Sequence, residues 1–177
     1  MPPLLAALLG ALVLAVLNTF GDFLWARFVS HHRTVLGLVH GTVLLLALGL
    51  FLGLLRARPL RGALSGAAVG LLAALSFYAL APLLGWGALF VSWMALWVGF
   101  AAVDARLRGA AVLRAALTRG LLAALGSGLA FYAVSGIWTK PAPGGPDYAY
   151  HLLCWTIAFL PGLAALVLQT DTRARRA

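Results

Sequence analysis

Val98–Gly109 reads VGFAAVDARLRG. An apolar run ends at Asp104, Arg106 and Arg108 follow at once, and Gly109 closes the turn. The only other acidic residues are Asp22, Asp147 and Asp171. An aspartate that ends an apolar run beside arginines marks the end of a membrane span, and it predicts the cytoplasmic face of a helical bundle.

The rest of the chain agrees with that reading. It has 177 residues, 63% of them hydrophobic and 10% charged, with a mean hydropathy of +1.01. Soluble domains are roughly 45–50% apolar. A spanning helix needs about 20 apolar residues, so spans and short turns use up the chain as a single domain. The fold class expected is all-α, a six-helix membrane bundle. Net charge is +9. In a soluble protein that would suggest nucleic acid; here the arginines sit between apolar runs, as loop anchors do, and no nucleic-acid partner is expected. The one cysteine, Cys154, excludes an intrachain disulfide.

Six spans are predicted, over about 4–28, 34–55, 62–84, 88–103, 116–138 and 148–169. The first lacks the basic lead of a signal peptide and is too long for one, so it reads as a span. Span two carries Gly37 with Gly41 and Gly49 with Gly53; span three opens with Gly62, Gly66 and Gly70. Small residues at fourfold spacing let helix backbones approach closely. Span five opens the same way with Gly120, Ala124 and Gly128, and Pro161 interrupts span six. GLLAAL occurs at both 70–75 and 120–125, a faint internal echo.

The basic residues divide unequally. Arg56, Arg58, Arg61, Arg106, Arg108, Arg114, Arg119, Arg173, Arg175 and Arg176 fall on one side, and Arg27, Arg33 and Lys140 on the other. Basic loops stay in the cytoplasm, so both termini are expected there. The other face then collects Asp22, His31, His32, His40, Asp147 and His151. These lack the spacing of a metal motif, and no metal or cofactor is expected. Ionisable groups inside a span are functional candidates by default, which singles out Asp22 and His40, with Asn18 one turn before Asp22. No serine sits in a nucleophile setting, and nothing in the sequence asks for an enzyme.

At Asp104 the chain resembles the insulin-induced gene (Insig) family. The resemblance rests on Asp104-Ala105-Arg106-Leu107-Arg108-Gly109 after span four, Ser135-Gly136-Ile137-Trp138 ending span five, and Pro146-Asp147-Tyr148-Ala149-Tyr150 opening span six. Phe159, Gly162 and Asn18 match single positions, and the useful overlap is about Ala88–Leu166. The loop from Gly136 to Pro146 is longer than the family's. The resemblance implies helices around a lipid-accessible cavity that takes a sterol-like or glycerolipid amphiphile, and regulation of a membrane-protein partner. Asn18, Asp22 and His40 are expected at the polar head of that ligand, and Trp93, Tyr132 and Thr156 at its walls. Asp104, Arg106 and Arg108 are expected to contact a partner on the cytoplasmic side; separately, the Gly62/Gly66/Gly70 stripe is a candidate surface for pairing with a second copy of the chain. The Ala/Leu/Arg-rich composition suggests a bacterial cytoplasmic membrane, or the endoplasmic reticulum if the chain is eukaryotic. The alternative is a small proton-coupled transporter using Asp22 and His40.

Overall fold

A computed structural model describes residues 2–28, 33–85, 87–109, 113–134 and 147–168. These form α1 (Pro3–Phe28), α2 (Arg33–Leu55), α3 (Pro59–Leu84), α4 (Gly87–Leu107), α5 (Leu113–Val134) and α6 (Tyr148–Val167). All six are long and apolar enough to cross a membrane, and no strand occurs among the described residues. His31, His32, residues 135–146 and the basic tail from 169 lie outside the described residues.

Chain neighbours pack in sequence from α2 through α6, and α1 packs back against α6. The sixfold ring is nearly open at one place, where α1 and α2 touch only slightly. Consecutive helices run in opposite directions, so the start of α1 and the end of α6 share the end that carries Asp104. Large side chains such as Leu64, Leu72, Leu83 and Leu129 point outward and are more than half exposed. Such an apolar exterior suits hydrocarbon and not water.

The glycine pattern explains the tightest contact. Gly41, Gly49 and Gly53 of α2 face Gly62, Gly66 and Gly70 of α3. A Cβ on Gly66 would run into the Leu45 carbonyl and stand 2.8 Å from the Gly49 Cα. With lipid outside, apolar surface gains little from burial against another helix, so close van der Waals contact must hold this pair. The stripe on α3 is therefore covered by the chain's own α2, not left for a second copy.

Several boundaries differ from expectation; α5, for one, starts at Leu113 and not at 116. The third helix starts at Pro59, where a missing N–H costs nothing in a first turn. The fourth does not stop at Asp104 but continues to Leu107, because cations from three segments surround that carboxylate. Pro161 lies inside α6, which runs unbroken across it.

Rings fill the middle of the bundle. Trp97, Phe100 and Phe159 are wholly buried. Trp93 stacks on Phe159 with centroids 5.4 Å apart and lies 5.0 Å from Phe131. The Trp97 indole lies against Gly162, where any Cβ would overlap it. The serine hydroxyls in this region turn to backbone: Ser92 and Ser76 both donate to the Ala73 carbonyl, at 2.6 and 2.7 Å, and Ser127 donates to Ala158 of α6; the Trp93 and Trp97 indole N–H groups are buried among the rings without an acceptor. An unpaired hydroxyl in hydrocarbon would cost several kcal/mol, of order 2–7.

Candidate functional site

Charged and polar side chains gather in two places, one toward each end of the bundle.

At the arginine end, Asp104 is completely buried. Arg56 Nε stands 3.1 Å from Oδ1. Arg108 Nη2 stands 2.5 Å and Arg119 Nη1 3.7 Å from Oδ2. Oδ2 thus lies between two cations. The three arginines come from the turn after α2, the end of α4 and the first turns of α5. The turn that aims Arg56 closes α2 with Arg58 N–H donating to Gly53 O and Ala57 N–H to Leu54 O, at 2.7 and 3.2 Å. This is the Schellman pattern, with Ala57 in the left-handed position at φ 55°. Gly109 takes the matching position after α4 at φ 68°.

Asp104 is expected at a cytoplasmic partner contact. It lies instead beneath the arginines, and its carboxylate is occupied by the chain itself. An acid in the last turn of a helix opposes the helix dipole; the three cations offset that. Arg108 also turns its Nε to the Asp104 carbonyl at 3.3 Å. Arg106 points outward and is exposed.

Toward the other end, Asn18 and Asp22 of α1 meet side chains from two helices. His40 Nε2 donates to Asn18 Oδ1 at 2.8 Å. The His40 imidazole lies directly on the Gly21 backbone, where a side chain would collide with it. Asp22 Oδ2 accepts from His151 Nδ1 and from Trp155 Nε1, both at 2.8 Å. His151 and Trp155 are four residues apart on α6 and so share a face. Asn18 is 6% exposed, while the Asp22 side chain is 23% exposed.

The structure thus brings Asn18, Asp22 and His40 to one place, but pairs them differently from expectation. Asp22 bonds His151 and Trp155, and His40 bonds Asn18. Asp147 does not join them; it caps α6, its Oδ1 accepting from Tyr150 N–H at 3.1 Å, a common N-cap role. Of the expected wall residues, none bonds to this cluster directly among the described contacts. Trp93 is stacked among core rings. Tyr132 is 47% exposed, edge-on to Phe131. Thr156 donates to Leu152 of its own helix at 2.8 Å. Trp155, Arg56 and Arg119 were not singled out from the sequence. The spacing of His151 and Trp155 was a usable signal for the first; no local pattern signals the other two.

No protein-family model, curated protein or solved structure matches the chain.

Proposed function

We propose that this is an integral membrane protein that binds a small amphiphile at the seam between α1 and α2. The polar head of the ligand docks at Asn18, Asp22 and His40. The observation that carries this reading is the seam itself. α1 and α2 barely touch, yet where they meet they present a hydrogen-bonded amide and imidazole well inside both spans. Polar groups in a span are costly unless paired, and the His40–Asn18 bond pairs one atom of each. A sterol-like hydroxyl or a glycerolipid ester can exchange into that bond. Half-exposed apolar side chains of α1 and α2, Val13 and Val43 among them, receive the tail. Lipid competes for the same surface, so selectivity comes from the head group and the shape of the groove.

This reading keeps the Insig-like expectation as its scaffold, with the arginine end and both termini in the cytoplasm. The surface around Arg106 is the regulatory contact for a membrane partner. The test uses a photoactivatable cholesterol analogue in phosphatidylcholine nanodiscs. Labelling concentrates on α1 and α2 and falls several-fold in Asn18→Ala and His40→Ala. Labelling spread evenly over the outer surface, or unchanged by both substitutions, refutes it.

One observation favours the transporter alternative, namely a carboxylate and an imidazole 2.8 Å apart within the span region. That reading, in which Asp22 and His40 relay protons, now includes His151. It requires pH-driven flux in sealed vesicles that is lost in Asp22→Asn, whereas the amphiphile reading requires none.

A further inference from the structure

A second group of cations lies at the arginine end, apart from the buried aspartate. Arg58, Arg61 and Arg106, with Ser65, line a crevice of about 350 Å3 between the start of α3 and the end of α4. Leu64, Val103 and Leu107 complete its wall. None of these three arginines has a carboxylate partner among the described residues. Asp104 is engaged by Arg56, Arg108 and Arg119, Asp22 by His151, and Asp147 caps α6 at the opposite end.

Three arginines, all exposed, line one recess and give it an unbalanced positive charge. An anion from outside the chain balances that charge. The donor set specifies its chemistry. Guanidinium forks match pairs of phosphate oxygens, and Ser65 supplies a hydroxyl. The remaining wall is apolar and belongs to the ends of two spans, so the recess is wet on one side and oily on the other. Basic pockets between spans on the cytoplasmic side are a known setting for lipid phosphates.

We infer that the Arg58–Arg61–Arg106 crevice binds a phosphate group. An anionic phospholipid head group and free phosphate carry the same chemistry, and the experiment separates them. The inference is independent of the α1–α2 seam.

The full chain in detergent is titrated with phosphatidylglycerol, phosphatidylcholine and inorganic phosphate, and binding is read by native mass spectrometry. Phosphatidylglycerol is retained over phosphatidylcholine. Each of Arg58→Gln, Arg61→Gln and Arg106→Gln weakens it about fivefold, and the triple variant on the order of a hundredfold. Arg114→Gln, an exposed arginine of α5 at the same end, leaves binding within about twofold, a bound set by charge screening. Inorganic phosphate binding with the same dependence, and no retained phosphatidylglycerol, assigns the site to soluble phosphate. Equal retention of the two lipids without phosphate binding overturns the inference. So does an Arg114→Gln loss equal to the crevice variants, or crevice variants that bind like the parent. The single variants decide the matter if the triple variant fails to fold.

Discussion

Replacing Asp104 with asparagine keeps the size of the side chain and removes its charge, so packing is left nearly intact. Three guanidinium groups then lose their common counter-charge. Their nitrogens stand 3.1, 2.5 and 3.7 Å from the carboxylate oxygens. At such separations one pair is worth about 4 kcal/mol with an effective dielectric near 20. The three attractions do not add in full, because the carboxylate was already desolvated and the arginines can relax. Breaking a buried pair by removing one partner costs about 3–5 kcal/mol. The arginine side chains are 25, 19 and 18% exposed and can swing toward head groups, so the lower end, about 3 kcal/mol, is expected. The measurement is reversible unfolding in mixed micelles of increasing SDS content, followed by tryptophan fluorescence. Adding Arg119→Gln to Asp104→Asn removes one unbalanced cation and should restore about 1 kcal/mol, a coupling a double-mutant cycle can read. A change below about 0.5 kcal/mol in Asp104→Asn, the range of ordinary surface substitutions, would refute the account of Asp104 as the ion that ties three segments together.

Gly66→Val places two methyl groups where the Leu45 carbonyl and the Gly49 backbone already lie. A loss of at least 1–3 kcal/mol, the usual range of roughly one overpacked site, is expected in the same unfolding assay, with the mass of the detergent-solubilised assembly unchanged. A shifted assembly mass with an unshifted unfolding midpoint would mean that copies of the chain meet there. Ala57→Gly relieves the left-handed backbone at φ 55° and should stabilise the turn by about 0.5–1 kcal/mol; a loss of stability would show that the Ala57 methyl is doing something the turn geometry does not require.

The two clusters were legible to different degrees. Asp22, His40 and Asn18 stand out by composition alone, because ionisable and amide groups are conspicuous in hydrocarbon-compatible helices. Their partners were not legible, since His151 is 129 residues from Asp22, and only the packing of α1 on α6 brings them together. Asp104 stood out for the same reason. Its burial did not, because a local reading sees an aspartate between an apolar run and two arginines and takes it for a surface position. Arg56, 48 residues away, reaches it only because the α2–α3 turn folds over the end of α4. Trp93 is expected from the sequence at a ligand wall; its stacking on Phe159 follows from the register of α4 on α6.

Hydropathy and span length alone determined that the chain forms six helices long and apolar enough to cross a membrane, because hydrocarbon leaves a backbone no partner but itself. The glycine spacing likewise determined that α3 has one face built for close approach. Which helix covers that face, which cation meets which carboxylate, and where the ring of helices stays nearly open were decided only in three dimensions. Each depends on rotation and register between segments far apart in sequence, and no local periodicity encodes those.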